Sequence, residues 1–129
     1  MNGNLIDTNI IINLLNGNKN AIHFFDGKQE IYIPVIVAGE LFYGAYKSSK
    51  INENLNLFTD FLSNYPILDI NQNISEIYSD IKSKLIKKGF TIPENDIWIA
   101  AIAKFHKLTL ITFDSHFCNI DDLDVKPKS

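Results

Sequence analysis

Four acidic residues lie at the ends of apolar runs or inside apolar stretches of the sequence. Asp7 follows the apolar run NLI, and Asp114 follows LTLIT after one intervening Phe. Glu40 and Asp96 lie in the strongly apolar stretches VIVAGELFYGAY and PENDIWIAAIAKF. An unpaired charge in apolar surroundings is costly, and functional groups gather at the carboxyl ends of strands in parallel α/β sheets. The spacing therefore raises the question of whether these four acids converge on one site.

Converging carboxylates would repel one another strongly unless a cation lay among them. Oxygen ligands without His or Cys favour Mg²⁺ or Mn²⁺ over zinc. An ion of this kind suits phosphate chemistry, because it activates water and neutralises charge that builds on phosphoryl oxygens. If Asp7, Glu40, Asp96 and Asp114 meet at one end of the sheet, the residue types therefore predict a divalent-metal site.

Each of the four acids also has a local explanation. Asp7 could cap the helix that follows it, and Asp96 could stabilise the first turn of its own helix. Asp114 could be a turn residue. Glu40 has no evident partner in the sequence, although it could reach solvent or pair with a lysine. Four separate explanations must hold together for the local interpretation, whereas one shared cation accounts for all four acids.

The elements that must position these acids alternate along the chain. Apolar runs predict strands at 4–7, 30–34, 66–70, 108–112 and 123–125. Apolar spacing and end signals predict helices at 9–16, 21–25, 35–46, 52–64, 73–88 and 93–106, with a turn or short helix at 114–117. Strands alternating with helices predict an α/β sandwich with a mostly parallel sheet.

Composition narrows the class of protein. The chain has 129 residues, 46% of them hydrophobic, and a net charge of −3, which suits one globular domain without a global basic field. The single cysteine, Cys118, excludes an internal disulfide, fits a reducing cytoplasm and is expected to be buried. We expect no signal peptide, since the N-terminus lacks a basic region and a long apolar run. No apolar run reaches the roughly 20 residues that a membrane span needs.

Four stretches together resemble the motifs of PIN-domain ribonucleases, particularly VapC-type toxins of toxin–antitoxin pairs. They are LIDTNIIINLL, IPVIVAGELFYGA, PENDIWIAAIAKFHKLTLIT and TFDSHF, in the family's order and over nearly the whole chain. The resemblance matches the family's four acids to Asp7, Glu40, Asp96 and Asp114. It matches Asn9 and Thr112 to the polar residues that hydrogen-bond to this acidic cluster or to metal-bound water.

The last motif departs from the pattern of many relatives. Those relatives have Asn at the position of Asp114 and an Asp directly before the following Phe. Here Phe117 is preceded by His116. The fourth acid of the cluster is therefore assigned to Asp114, and His116 is either a local variation or a modest contributor.

The resemblance implies a fold and an activity. The fold is a single PIN domain over residues 1–129, a three-layer sandwich with a mostly parallel sheet of four or five strands between helices. The activity is that of a Mg²⁺- or Mn²⁺-dependent endoribonuclease, in which metal-activated water attacks the phosphorus in line and leaves 5′-phosphate and 3′-hydroxyl ends. The resemblance further implies a cytoplasmic homodimer and a small VapB-type antitoxin, whose C-terminal segment lies along the toxin groove and blocks the acidic pocket.

Aromatic residues follow Glu40 in the same predicted helix, at Phe42, Tyr43 and Tyr46. Core packing explains most such residues. An exposed subset could instead line the antitoxin groove or stack on bases.

Two other functions remain open at this point. A Mg²⁺-dependent phosphotransferase or phosphatase would usually have an aspartyl nucleophile beside a second acid, but the segment DTN has Asn9 in that place. It would also need a Lys at a later strand end, and LTLITFD has none. The third possibility is a module that binds metal or RNA without catalysis.

Overall fold

The computed structural model describes residues 3–27 and 30–127. Positions 1–2, 28–29 and 128–129 of the predicted domain lie outside the described residues. The strands are β1 (Asn4–Ile6), β2 (Ile31–Pro34), β3 (Ile67–Leu68), β4 (Thr109–Ile111) and β5 (Val125–Lys126). The helices are α1 (Thr8–Leu15), α2 (Lys19–Phe25), α3 (Val35–Lys47), α4 (Ile51–Leu62), α5 (Gln72–Lys88) and α6 (Glu94–His106), and a 3₁₀ helix spans Ser115–Asn119.

The five strands form one sheet in the order β3-β2-β1-β4-β5. Every neighbouring pair is parallel. The central strand β1 is wholly apolar after Asn4, and Leu5 and Ile6 are fully buried, as expected for a strand covered on both faces. The predicted α/β architecture with four or five mostly parallel strands is confirmed.

The strand order reverses at β1. The chain runs outwards from β1 to β2 and β3, then returns past β1 to β4 and β5. Because parallel crossovers are right-handed, connections running in opposite directions place their helices on opposite faces of the sheet. The carboxyl end of β1 therefore opens into the crevice between the two sets of helices, which is where α/β proteins place their functional groups.

Helix ends follow the signals in the sequence. The Asn71 side chain accepts a hydrogen bond from the Ile74 amide at the start of α5, and Gly89 ends that helix at a φ of 80°. A left-handed residue is the usual helix terminator, and glycine adopts it without steric cost. These ends orient α5 against α6, the helix that carries Asp96.

The structure differs from the predictions in three details. The predicted strand at 66–70 is reduced to the two residues of β3, because this edge strand pairs with β2 at only two positions. The strand predicted at 123–125 is shifted and forms only at Val125–Lys126. The prediction that Cys118 is buried is wrong: the short 3₁₀ helix buries Phe117 completely and turns Cys118 outwards.

Within residues 3–27 and 30–127, no helix is both long enough and apolar enough to cross a lipid bilayer.

Candidate metal centre

Asp7 is the most deeply buried of the four acids and directly follows β1. Its side chain is only 5% exposed. One carboxylate oxygen accepts a hydrogen bond from the Thr8 amide at 2.8 Å, and the other accepts one from the Thr112 hydroxyl at 2.7 Å. Burial raises the pKa of Asp7 to about 6, against the lowering effect of these two hydrogen bonds, and the charges of Asp96 and Glu40 raise it further. Asp7 is therefore a carboxylate that lacks a compensating positive charge.

Thr112 and Asn9 connect β4 to the start of α1 around Asp7. The Thr112 side chain is buried, and its hydroxyl oxygen accepts a hydrogen bond from the Asp114 amide at 3.0 Å. The Asn9 amide group donates to Asp7 and to Thr112 at 3.4 Å each, and its oxygen accepts from the Phe113 amide at 3.1 Å. Both residues therefore hydrogen-bond to Asp7 and to the backbone of the turn after β4.

Glu40 reaches the same place from the second turn of α3. The hydroxyl of Thr8, the residue after Asp7, donates to Glu40 Oε1 at 2.8 Å. A groove continues from this contact along α3, lined by Thr8, Glu40, Tyr43, Gly44, Lys47, Ser48 and Asn95. Glu40 therefore lies between the buried acid and an open surface groove.

Asp96 and Asp114 complete the acidic cluster and bring a histidine with them. Asp96 lies in the first turn of α6, and Asp114 follows β4 at the start of the 3₁₀ helix. His116 Nδ1 lies 3.1 Å from Asp114 Oδ1 and 3.5 Å from Asp96 Oδ2. One ligand atom from each of the three residues lies within 4.8 Å of the other two. The motif comparison assigned His116 no more than a modest contribution, and the signal for it was its position directly before Phe117, where many relatives have an Asp.

Electrostatics tie the four acids together. Burial raises the pKa of Asp96, the hydrogen bond from His116 lowers it, and the charges of Asp114 and Glu40 raise it again. The charges of Asp96 and Glu40 in turn raise the pKa of Asp7. The charges of Glu40 and Asp96 therefore oppose ionisation of Asp7, and those of Asp114 and Glu40 oppose ionisation of Asp96. A divalent cation would relieve this repulsion.

The donor set fits a hard divalent cation. Apart from His116, the groups that converge are carboxylate, amide and hydroxyl oxygens, the ligands that suit Mg²⁺ and Mn²⁺. Asp7, Glu40, Asp96 and Asp114 would hold the ion directly. Asn9 and Thr112 would keep the carboxylates in position, the role that outer hydrogen-bond partners have in metal sites.

The local explanations hold as well, but they do not compete with the shared site. Asp7 caps α1 and Asp114 caps the 3₁₀ helix through hydrogen bonds to backbone amides. Each capping carboxylate still has a second oxygen, and in Asp7 that oxygen accepts hydrogen bonds from the Thr112 hydroxyl and the Asn9 side-chain amide. Capping therefore fixes the orientation of the Asp7 and Asp114 side chains and is compatible with their membership of the acidic cluster.

Fold and cluster together define a class: parallel α/β proteins with carboxylates gathered at the point where the strand order reverses. Within that class, the model of the PIN domain family matches residues 5–123. The relative named Ribonuclease VapC2 from Haemophilus influenzae is 36% identical over 110 residues, which cover 84% of this chain and 83% of the relative. Ribonuclease VapC2 from Rickettsia felis is 32% identical over 112 residues, with 84% of each chain covered. The chain belongs to the PIN domain family and, within it, to the VapC type.

Solved structures agree with this assignment. VapBC2 from Rickettsia felis, bound to a DNA fragment of its promoter, matches with a TM-score of 0.84 and 30% identity, covering 95% of this chain and 96% of that one. DNA-bound VapBC from Salmonella typhimurium matches with a TM-score of 0.88 and 26% identity over 98% of both chains. The PIN-like architecture predicted from the motifs is confirmed.

Proposed function

We propose that this protein is a metal-dependent endoribonuclease and the toxin of a VapBC-type pair. The observation that carries the proposal is the cluster of Asp7, Glu40, Asp96 and Asp114 at the carboxyl edge of the sheet in a VapC-type chain. Repulsion among these charges supports a bound Mg²⁺ or Mn²⁺, which would relieve it. A bound ion of this kind activates water and neutralises charge on the phosphoryl oxygens.

The side chains of this protein would position the reactants. Glu40 and Asp96 are partly exposed and would be open to a substrate, whereas Asp7 is buried. Thr112 holds Asp7, and Asn9 holds the turn at Phe113, so that the carboxylates need little rearrangement when an RNA phosphate arrives. In-line attack of water on that phosphate would leave 5′-phosphate and 3′-hydroxyl ends.

The groove along α3 supports access for single-stranded or looped RNA. Phe42 packs against the core, while Tyr43 and Tyr46 are 65% and 62% exposed. The Lys47 ammonium lies 5.2 Å from the centre of the Tyr43 ring. An aromatic face beside a cation suits a base and its phosphate, since bases stack on aromatic rings with little sequence preference.

Cleavage of RNA by the purified protein tests the proposed function. We expect single-stranded RNA to be cut with Mg²⁺ or Mn²⁺ and to stay intact with a chelator. Sequencing of the fragments should recover 5′-phosphate ends. A folded protein that binds Mn²⁺ but cuts neither RNA nor a phosphorylated small substrate would instead be a non-catalytic module. Release of phosphate from the small substrate without RNA cleavage would favour the phosphatase alternative.

Membership of the VapC type also supports a VapB-type antitoxin partner, a homodimer and action in the cytoplasm. The antitoxin would lie along the α3 groove and offer a basic side chain to the acidic cluster. We expect expression of this chain in bacteria to stop growth, and co-expression of the small protein encoded beside it to restore growth. Expression of Asp96→Asn at the same level should be harmless. Normal growth with the wild-type chain, at matched protein levels and without the partner, would contradict the toxin role.

A further inference from the structure

The imidazole ring of His116 lies beside the carboxylates of Asp114 and Asp96. Its Nδ1 lies 3.1 Å from Asp114 Oδ1 and 3.5 Å from Asp96 Oδ2. Ligand atoms bound to one small divalent ion at about 2.1 Å are roughly 3 Å apart, so these separations suit neighbours around an ion as well as direct hydrogen bonds. The three groups could therefore bind one ion with little movement.

The backbone holds the imidazole in this position. The Asp114 side chain accepts a hydrogen bond from the His116 amide at 3.0 Å, which closes the turn after β4. The next residue, Phe117, is fully buried and anchors the 3₁₀ helix to the core. His116 therefore reaches Asp96, twenty positions away in sequence, without a flexible segment.

We propose that His116 is a ligand of the divalent ion, and that it makes the centre select Mn²⁺ over Mg²⁺. This inference rests on the proposed metal centre and adds a nitrogen ligand to it. Mg²⁺ binds oxygen ligands and retains its waters, whereas Mn²⁺ accepts imidazole nitrogen more readily. A site in which an imidazole nitrogen joins the carboxylates is therefore a poorer match for Mg²⁺ than a site of carboxylates alone.

A competing role is a simple ion pair, in which protonated His116 neutralises Asp96 and Asp114 without touching an ion. The two roles have opposite consequences for metal binding. As a ligand, His116 adds affinity, and its removal weakens Mn²⁺ binding. As a cation in the site, His116 repels the ion, and its removal leaves metal binding unchanged or tightens it.

Metal binding without RNA separates these roles. Mn²⁺ is titrated into the purified protein and followed by the electron paramagnetic resonance signal of the free ion, and Mg²⁺ is measured by competition. We expect His116→Ala to weaken Mn²⁺ binding by about 10-fold or more and Mg²⁺ binding by less than about 3-fold, in the range that changes at metal sites produce. His116→Asp, which replaces the nitrogen ligand with a carboxylate, should bind Mg²⁺ more tightly than wild type does. The control His23→Ala, at an exposed histidine of α2, should change neither affinity.

A spectroscopic measurement tests the metal–nitrogen bond itself. Pulsed electron paramagnetic resonance of the Mn²⁺-loaded protein should show coupling to a directly bound imidazole nitrogen, and His116→Ala should remove it. Since His116 is exposed, the variant is expected to fold, and circular dichroism checks this. Tight Mn²⁺ binding without nitrogen coupling, or unchanged affinity in His116→Ala, would overturn the ligand role. RNA cleavage in that case would leave the proposed function standing, whereas nitrogen coupling without RNA cleavage would refute the function alone.

Discussion

Asp7→Asn should lower metal-dependent RNA cleavage by at least about 100-fold while the protein stays folded. Loss of an outer hydrogen-bond partner at a metal site already costs about 10- to 100-fold, and Asp7 is proposed to be a direct ligand. The asparagine oxygen can still accept the hydrogen bond from the Thr8 amide that caps α1. The substitution therefore removes the charge and retains the cap, and Asp96→Asn should lower cleavage to a similar extent.

The melting temperature without metal distinguishes a metal-binding role from a structural one. Removing a buried charge that lies close to like charges relieves repulsion and desolvation, while a weaker contact to Thr112 offsets part of that gain. We expect Asp7→Asn and Asp96→Asn to melt no lower than wild type in chelator. Asp60→Asn, an exposed acid of α4, is the matched control and should retain full cleavage. Full activity in Asp7→Asn would exclude the mechanism. Because this variant retains the cap, a large drop in its melting temperature would show that the Asp7 charge stabilises the fold, which contradicts the repulsion assigned to it.

Local rules predicted much of the fold. The predicted helix at 73–88 forms as α5 and ends at Gly89, because helix termination depends on local backbone conformation. The structure starts it one residue earlier, at Gln72, where the Asn71 side chain caps it. The edge strands were harder to place. β3 and β5 are two residues long, and their limits are set by pairing with β2 and β4 rather than by their own apolar pattern. Pairing across the sheet is a long-range property, so it cannot be read from a short segment.

The residues of the candidate site also differ in whether local sequence or long-range packing determines their position. Asp7 and Asp114 were predicted because they follow apolar strands, and strand ends converge in a parallel sheet. Glu40 and Asp96 were noticed as acids in apolar helices, and the motifs supplied the reason to group them. His116 was not assigned, because its proximity to Asp96 depends on how the turn after β4 lies against α6. The relative position of this turn and α6 is set by tertiary packing, so only the folded structure reveals it.

Without metal, the free energy of unfolding should fall as pH rises through the range in which Asp7 titrates. The folded-state pKa of Asp7 is about 6, above its ordinary value of 3.8. Between these two values the unfolded chain releases the proton while the folded chain retains it, so increasing pH favours unfolding. The loss in free energy of unfolding caused by ionisation of Asp7 is absent below about pH 3.8. It is complete above about pH 7, where it amounts to about 3 kcal/mol.

The contribution of Asp7 can be isolated by subtraction. Urea unfolding of wild type and of Asp7→Asn, both in chelator, is compared from pH 4.5 to 7.5, so that groups titrating alike in both proteins cancel. We expect the stability of Asp7→Asn relative to wild type to rise by about 2 kcal/mol across this range. Saturating Mn²⁺ should reverse the trend for wild type, because the ion binds the deprotonated carboxylates and stabilises the folded state by mass action. A difference that stays constant with pH would mean that Asp7 is ionised at its ordinary pKa. The acidic centre would then lack the uncompensated charge on which the argument for a bound cation depends.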